Sequence, residues 1–479
     1  MDCFTPKSWE NQKRCADMKP LNSLKTVITL VPLAVLCILY GLWLVLEPPV
    51  YLESVLYGTL VLGLFCALYI RFIPACAAQL EQRNRSEENT LPFRTHSAGG
   101  RELLRLLVIL IAARAMLFIL VYLLHLQLNG FTGTFFDVQR IWADHPDSPR
   151  YISIVNKGYF AETDGLYLNL AFEPLYSFVI HLLNPVYTSS IRAGFFLANI
   201  NAVLSGLFLY ELVLHDRDRR SARRAVRYFC LLPPTFLLSC VLPDSTFMLF
   251  SILCVYCARK KHIALASLFG ALATLTRMEG LALLAPVFIE FFSQAAPPAR
   301  EGDSVWKTAC RRWCPGLWIL LIPAAFMVYM GINYYVAGDP FAFTRCLYEA
   351  YGQKYALFCQ AGGSLWDNLI TAYLHYDYPV LLAQWIPGAA ALVLSLICML
   401  QGQRRLPASY VGYYIAYVLM SVSATSLPSL PRQLFLCFPG VLAFVTLTRR
   451  RWLDWLLLLL CFIGLIGYLG MYVAGWPVQ

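Results

Sequence analysis

The chain has 479 residues, of which 59% are hydrophobic and only 14% are charged. A soluble domain would carry roughly 25% charged residues, and apolar runs of about 18 residues or more recur along the whole length. The composition therefore excludes an ordinary soluble domain and indicates a helical membrane protein. The net charge of +10 does not indicate nucleic-acid binding, because the Lys and Arg residues of membrane proteins gather in cytoplasmic loops.

The apolar runs predict an all-α, polytopic integral membrane protein with about thirteen transmembrane helices. We expect these helices near residues 27–46, 52–71, 102–126, 190–213, 227–243, 245–258, 262–276, 281–296, 315–336, 379–400, 408–424, 433–448 and 453–474.

The loops between the predicted helices differ in charge. If the N-terminus is cytoplasmic, most Lys and Arg residues fall on that same side, as the distribution in membrane proteins requires. Two long segments, 127–189 and 337–378, then lie on the outer side, and residues 166–188 fit a helix along the outer interface. We divide the chain into an N-terminal helix pair (1–72), a polar cytoplasmic linker (73–100) and a large transmembrane domain (101–479).

The first outer segment concentrates ionisable side chains just before a short helical pattern. Asp147 can serve as a base beside the membrane surface, although its position also suits a helix N-cap. Asp144 is the alternative carboxylate, and Arg150 follows within one helical turn. Asp144, His145 and Asp147 are ligand types for a metal, but we expect no metal there and a solvated His145.

The spacing within this segment resembles the signature of the GT-C superfamily, whose members transfer sugars from lipid-linked donors. It is most similar to the enzyme that adds the second mannose in GPI-anchor assembly and to its bacterial relatives. The residues that match the signature are Asp147, Tyr151, Ile154, Gly158, Tyr159, Phe172, Pro174 and Tyr176. Two positions depart from it, since Pro146 stands where the family has Trp and Arg150 where it has His.

Further motifs follow in the family's order, so the resemblance spans about residues 102–445 and makes 101–479 a catalytic, GT-C-like domain. They are Leu242-Pro243-Asp244-Ser245-Thr246-Phe247, Leu275-Thr276-Arg277-Met278-Glu279-Gly280, Gly338-Asp339-Pro340-Phe341-Ala342-Phe343 and Leu430-Pro431-Arg432.

The resemblance implies an inverting mannosyltransferase acting on the outer side of the membrane. The donor would be a polyprenyl-phosphate mannose of the dolichyl or undecaprenyl type, and the acceptor a glycolipid or glycan. Membrane lipids are the other expected partners. We expect no nucleic acid, no cofactor and no metal. The similarity to bacterial members favours the plasma membrane of a bacterium over the endoplasmic reticulum, with a cytoplasmic N-terminus.

Roles can be assigned to the charged residues on the outer side. Asp147 is the expected base, with Asp144 as its rival and Arg150 close by. Three arginines are the candidates for binding the donor phosphate, because a guanidinium binds phosphate oxygens bidentately: Arg277, Arg432 and Arg114. Four residues are expected to bind or orient the acceptor: Tyr151, Glu173, Asp244 and Glu279.

Arg114 is unusual in position. It lies about 19 Å along its helix from Arg101, deep in the expected bilayer, where a charge needs a partner. We expect that partner to be Asp244. For Arg277 and Arg432 the alternative to phosphate binding is that the side chains reach toward the interface.

Several alternatives remain at the level of the sequence. The transferred sugar could be other than mannose, and the protein could be a lipid or sugar transporter or flippase, or a scaffold without activity. In the segment 337–378, Cys346 and Cys359 either form a disulfide, as an oxidising exterior permits, or are free thiols. The aromatic residues of that segment either shape a substrate groove or lie at the interface.

Overall fold

The computed structural model describes residues 6–46, 51–86, 98–130, 135–162, 166–293, 313–356, 358–447 and 450–478. Across these ranges the chain is helical, with an isolated antiparallel bridge between Tyr355 and Ala424. The prediction of an all-helical membrane protein is confirmed.

Seven helical stretches in the described ranges are long and apolar enough to cross a membrane, and they agree with seven of the expected spans. They are Thr26–Leu46, Leu52–Gln79, Gly100–Leu128, Ser190–Asp216, Trp313–Ala337, Tyr378–Arg405 and Arg451–Val473.

The remaining expected spans are shorter or broken. Pro233–Ser239 and Asp244–Arg259 meet at 103°, and Leu430–Leu436 and Phe438–Leu447 meet at 83°. Prolines cause such breaks because they lack an N–H and disfavour a helical residue before them. Counting each bent pair as one span raises the total to nine among the described residues, so the structure does not reach the expected thirteen.

The helices are numbered here in chain order. The first nine are α1 (Pro6–Leu46), α2 (Leu52–Ser86), α3 (Gly100–Asn129), α4 (Ser148–Lys157), α5 (Pro174–Tyr187), α6 (Ser190–Asp216), α7 (Arg219–Leu231), α8 (Asp244–Arg259) and α9 (Ile263–Thr276). The others are α10 (Leu284–Ser293), α11 (Leu321–Ala337), α12 (Ala342–Tyr351), α13 (Phe358–Leu374), α14 (Ile386–Gly402), α15 (Ala408–Ser421), α16 (Leu430–Leu436), α17 (Phe438–Leu447) and α18 (Arg451–Val473).

The second N-terminal helix packs directly on the rest of the protein. Tyr57 of α2 stacks on Trp366 of α13 with the ring centroids 4.8 Å apart, and its hydroxyl donates to the carbonyl of Ala389 in α14 at 2.8 Å. The α2 helix also continues to Ser86, so the first half of the expected 73–100 linker is helical. Residues 87–97 of that linker lie outside the described ranges.

The segment before α4 is anchored to the membrane helices through its backbone. The hydroxyl of Tyr472 in α18 donates to the carbonyl of Ile141 at 2.7 Å, and the N–H of Val241 donates to the carbonyl of Trp142 at 2.8 Å. Trp142 itself is buried. These contacts fix the start of α4 against the bend that precedes α8, and this junction holds the candidate site.

Candidate functional site

Four chain segments that are far apart in the sequence meet at one point. Asp147 stands at the N-terminal end of α4, Asp244 begins α8, Arg277 follows α9, and Arg432 lies in α16. Both Asp244 and Arg432 follow a proline directly, Pro243 and Pro431. The 103° bend at residues 240–243 and the 83° bend at Cys437 orient α8 and α16 so that the two side chains face each other.

The charged groups form a continuous chain of ion pairs. Arg432 donates to Asp147 Oδ2 at 2.9 Å and to Asp244 at 2.5 and 3.2 Å. Arg277 donates to Asp244 Oδ1 at 2.9 Å and to Glu279 Oε1 at 3.1 Å. Asp244 therefore connects two guanidinium groups, each of which also holds a second carboxylate.

Burial makes this pairing necessary. The Asp244 side chain is 0% exposed, whereas the side chains of Arg432 and Arg277 are 4% and 12% exposed. An isolated charge at such a position would be strongly destabilising unless it is paired and hydrogen-bonded. The pairing stabilises the convergence of α8, α16 and the turn after α9.

The turn after α9 depends on a glycine. A Cβ atom on Gly280 would lie 2.4 Å from the backbone nitrogen of Thr274, because residues 277–280 fold back against the last turn of α9. The N–H of Gly280 donates to the carbonyl of Arg277 at 2.9 Å. This close approach requires glycine and places the side chains of Arg277 and Glu279 side by side.

The residues of the first motif build the wall next to Asp147. Gly158 has φ of +71°, which favours glycine, and its carbonyl accepts a hydrogen bond from Asn169 Nδ2 at 2.7 Å. The Tyr159 hydroxyl donates to the carbonyl of Phe172 at 2.8 Å, and the ring of Tyr151 packs edge-on against Phe172. The motif thus ties α4 to the segment that carries Glu173.

These groups border a cavity of about 200 Å³. The charged residues in its wall are Asp147, Glu173, Arg277, Glu279, Lys354 and Arg432. Its other residues are mostly aromatic, apolar or hydroxyl-bearing, including Tyr151, Phe172, Met278, Tyr329, Phe343, Tyr351, Tyr355, Ser421 and Ser429.

Asp147 is the acidic group best placed for proton transfer. Its side chain is 26% exposed and reaches the cavity. Burial acts to raise the pKa of this carboxyl, but the neighbouring His145, Arg432 and Arg277 together lower the pKa below its ordinary value. Asp147 is therefore ionised at neutral pH and can accept a proton.

The buried Glu173 behaves in the opposite way. Removal from water, together with the neighbouring charge of Glu279, raises the pKa of Glu173 from 4.5 to about 7. Its Oε1 accepts the N–H of Met278 at 2.9 Å. Among the carboxylates of the cavity wall, Asp147 is thus ionised at neutral pH, whereas Glu173 titrates near neutrality.

The sequence predicts that His145 is a solvated loop residue, but this prediction is wrong, because the residue is 0% exposed. Its Nδ1 accepts the backbone N–H of Asp147 at 3.1 Å, and its Nε2 lies 3.2 Å from Arg432 Nη1. Burial and the adjacent Arg432 lower the pKa of this imidazole to about 4. The ring is therefore neutral and positions Asp147.

In the described part of the chain no three His, Cys, Asp or Glu side chains are grouped as a metal site requires.

Four of the candidate residues lie outside the cavity wall: Asp144, Arg150, Arg114 and Asp244. Asp144 is exposed at the end of its 3₁₀ segment. The Arg150 side chain is hydrogen-bonded to Tyr351 rather than directed at the Asp147 carboxylate. Asp147 does precede α4, but its side chain makes no capping hydrogen bond because Arg432 engages it.

Arg114 is buried, as its position predicts, but the prediction that it pairs with Asp244 is wrong. Its guanidinium donates to the carbonyl of Thr235 at 2.9 Å and to the hydroxyl of the same residue at 3.0 Å. Asp244 is occupied by Arg277 and Arg432 instead. Instead of the expected carboxylate, polar groups of the 3₁₀ segment 233–239 bind Arg114. They are available because helical hydrogen bonds do not use every carbonyl of that segment.

The second outer segment supplies residues that the motifs did not identify. Lys354 lines the cavity, and its ammonium lies 5.0 Å from the ring centroid of Tyr348. The backbone of Lys354 is fixed by Thr425, whose N–H donates to the Lys354 carbonyl at 2.9 Å. Together with the Tyr355–Ala424 bridge, this pairing of 353–356 with 423–426 forms a roof over the cavity. From the sequence, the composition of the segment 337–378 indicates only that it is rich in aromatic residues.

Cys346 of the same segment is buried, has a free thiol and donates to the carbonyl of Tyr167 at 3.4 Å. The side chain of Cys359 lies outside the described part of the structure.

No family model matches the sequence, and no curated protein matches it either. Three solved structures show a distant likeness. ArnT from Cupriavidus metallidurans is 14% identical, with 67% of this chain and 60% of that chain covered and a TM-score of 0.39. Arabinosyltransferase EmbB from Mycobacterium smegmatis is 13% identical, with 81% and 34% covered and a TM-score of 0.41.

The third structure is the archaeal oligosaccharyltransferase AglB from Archaeoglobus fulgidus with an inhibitory peptide and a dolichol-phosphate, at 14% identity, 76% and 56% coverage and a TM-score of 0.33. This chain spans between 34% and 60% of the length of these three structures. Likenesses this distant leave its function to be derived from its own residues.

Proposed function

We propose that the protein is an integral-membrane glycosyltransferase that moves a sugar, in the first instance mannose, from a polyprenyl-phosphate donor to a hydroxyl of a glycolipid or glycan on the outer side of the membrane. The observation that carries this proposal is the partly exposed Asp147 carboxylate, held by Arg432 in the wall of a cavity between membrane helices. The motif resemblance, which runs through the same residues, supports it.

The transfer would proceed by one displacement. Asp147 takes the proton from the acceptor hydroxyl while that oxygen attacks the anomeric carbon from the face opposite the lipid phosphate. The bond from the anomeric carbon to the phosphate oxygen breaks, and the polyprenyl phosphate leaves with the electron pair. Attack from the opposite face inverts the configuration at the sugar. Binding of both substrates in one cavity supplies the orientation that the reaction needs.

The two arginines have a different part in this proposal from the one that the sequence suggested. Arg277 and Arg432 are already engaged by carboxylates, so their first task is to hold Asp147 and Glu279 in place. Arg277 lines the cavity with a side chain that is 12% exposed, and in this proposal it also contacts a phosphate oxygen. Lys354, whose charge is not engaged by a carboxylate of the described residues, is the added cation that we propose for the donor phosphate.

The deciding experiment is product analysis with purified protein in lipid nanodiscs. The protein is incubated with polyprenyl-phosphate mannose, glucose, galactose or arabinose and with a membrane glycolipid extract, and products are identified by mass spectrometry. We expect a glycosylated lipid product from the mannose donor and at least about 100-fold less of it with Asp147→Asn. If only another donor gives a product, the transferred sugar is not mannose. If none of the four donors supports transfer, the transferase assignment is rejected.

A further inference from the structure

A second cavity, of about 360 Å³, lies at the other end of the molecule from the candidate site. The two are separated along α6: the Ser190 hydroxyl at its start donates to Asn156 of α4 at 2.9 Å, whereas Asp216 at its end lines the second cavity. An α-helix of this length is about 40 Å long. The second cavity therefore faces the opposite side of the bilayer.

The wall of this cavity is rich in arginine. Arg217, Arg220, Arg224 and Arg405 line it, together with the carboxylates of Asp216 and Asp218. Both carboxylates have partners within the fold. Asp216 accepts from Arg259 at 2.6 Å and from the Tyr410 hydroxyl, and Asp218 accepts from the Ser221 hydroxyl at 2.6 Å and caps α7.

Two of the arginines are held by neutral groups. Arg217 donates to the backbone carbonyl of Arg405, and Arg405 donates to the backbone carbonyl of Thr446. Neither forms an ion pair with a carboxylate of the described residues, whereas Arg224 is paired with Asp454 at 2.8 Å. The carboxylates of Asp216 and Asp218 attract Arg217 without forming an ion pair with it, and a bound anion would give Arg217 and Arg405 a direct partner that also reduces the repulsion between them.

Most of the remaining wall is apolar and consists of Val213, Ala225, Leu406, Pro407, Leu442 and Val445. Three hydroxyl-bearing residues complete it: Ser221, Tyr410 and Thr446. A site with cationic groups on one side and apolar side chains on the other suits a phosphate that is attached to a hydrophobic body. Basic pockets between the helix ends on the cytoplasmic side have this chemistry, and there they bind phospholipid headgroups.

We propose that this cavity binds the phosphate of an anionic phospholipid through Arg217 and Arg405, as a structural lipid site independent of sugar transfer. The guanidinium forks offer donors in the geometry that a phosphate accepts, while the apolar wall receives the glycerol and the upper acyl chains.

The test measures lipid binding by native mass spectrometry of the full-length protein in detergent. Phosphatidylglycerol is titrated against phosphatidylcholine with the same acyl chains, and inorganic phosphate and glycerol 3-phosphate serve as soluble competitors. We expect retained phosphatidylglycerol, weaker retention of phosphatidylcholine, and no displacement by the soluble phosphates. If a soluble phosphate displaces phosphatidylglycerol at equal concentration, the site binds a soluble phosphate and the proposal of a lipid ligand is refuted.

Ser221→Glu is the decisive variant. Ser221 lines the cavity at the third position of α7 after its Asp218 cap, where glutamate is favourable for a helix. The new carboxylate should pair with the arginines, keep or raise Tm, and reduce phosphatidylglycerol retention at least tenfold. Ser221→Gln, of the same size without charge, should retain the lipid to within threefold.

Arg217→Gln combined with Arg405→Gln should also reduce retention at least tenfold. Arg345→Gln, an exposed arginine paired with Glu349, is the matched control and should leave lipid retention unchanged. If Ser221→Glu folds normally and binds phosphatidylglycerol as the wild type does, the proposal fails, whatever the stability of the double arginine variant.

Discussion

At the scale of single residues, the proposed chemistry depends on one carboxylate. Asp147→Asn keeps the size of the side chain and an oxygen that can still accept from Arg432, so the fold should be preserved. Loss of the base should reduce the rate of sugar transfer about 100- to 10,000-fold. The measurement is the initial rate of transfer in nanodiscs at saturating donor, with folding followed by Tm.

Asp144 provides the matched control for this prediction. It belongs to the same outer segment but is exposed and away from the cavity wall, so Asp144→Asn should transfer sugar within twofold of the wild-type rate. The opposite pattern, with Asp144→Asn inactive and Asp147→Asn active, would move the base to Asp144.

Glu173 gives the site a pH dependence. Its pKa is raised to about 7, so it is mostly neutral below that pH and adds a negative charge to the cavity above it. The added charge repels a phosphate, and the KM for the donor should therefore rise as the pH increases through about 7. In Glu173→Gln the KM should stay constant between pH 6 and 8.5, whereas the exposed Glu162→Gln should behave like the wild type.

The same shift fixes the sign of the effect on stability. A carboxyl whose pKa is higher in the folded state than in the unfolded state stabilises the fold at low pH, and this contribution is lost as the pH rises from 4.5 through about 7. The wild-type Tm should fall over this interval more than that of Glu173→Gln.

Lys354 tests the cationic side of the cavity. Lys354→Met keeps an unbranched side chain and removes the charge, which should raise the KM for the donor about tenfold, the change expected for about 1.4 kcal/mol of lost binding. Lys157→Met removes an exposed charge from α4 outside the cavity and should leave KM unchanged. Equal KM values for wild type and Lys354→Met would exclude Lys354 from donor binding.

At the scale of secondary-structure elements, the two bent helix pairs are joined through Asp244. Asp244→Asn leaves two buried guanidinium groups without their shared carboxylate, which should lower the free energy of unfolding by about 3 kcal/mol. The comparison is Glu349→Gln, which breaks a pair whose side chains are 69% and 40% exposed. Such surface pairs contribute about 0–1 kcal/mol, so a Tm loss in Asp244→Asn no larger than that control would contradict the role given to the buried pair.

The elements also show what periodicity can and cannot establish. Apolar runs identified the seven long helices because each run is continuous. They could not separate a continuous span from a broken one, since apolar residues lie on both sides of each bend, the one at residues 240–243 and the one at Cys437. Nor could they show that α2 extends to Ser86, because the polar residues that follow Pro74 fit a linker as well as a helix.

At the scale of the whole molecule, the two cavities lie on opposite sides of the membrane. A cysteine at the exposed Lys157 should react in intact cells with a membrane-impermeant maleimide. A cysteine at the exposed Arg219 should react only after permeabilisation, with the modified residue identified by mass spectrometry. Labelling of both in intact cells would contradict the arrangement, and labelling of Arg219→Cys alone would reverse the orientation.

Much of the candidate site can be predicted from the sequence. The motifs and the position on the expected outer side point to Asp147, Arg277 and Arg432, and the fold places all three within one chain of ion pairs. What the sequence could not supply was the pairing itself. Nothing in the spacing of Asp244 distinguishes a partner of Arg114 from a partner of two other arginines, because that depends on the direction in which the bent helices turn. His145 and Lys354 carried no motif, and only tertiary contacts define their surroundings.

The roof formed by residues 353–356 and 423–426 includes two main-chain bonds, from the Thr425 N–H to the Lys354 carbonyl and from the Ala356 N–H to the Ser423 carbonyl. Substituting a side chain leaves such bonds in place. An engineer who wishes to change which molecules enter the cavity can therefore randomise Tyr355 in a small library without breaking these bonds, whereas Gln353 should be kept because its side chain donates to the Ser426 carbonyl at 3.4 Å. New specificities should be obtained there at less cost in folding yield than in the buried wall below.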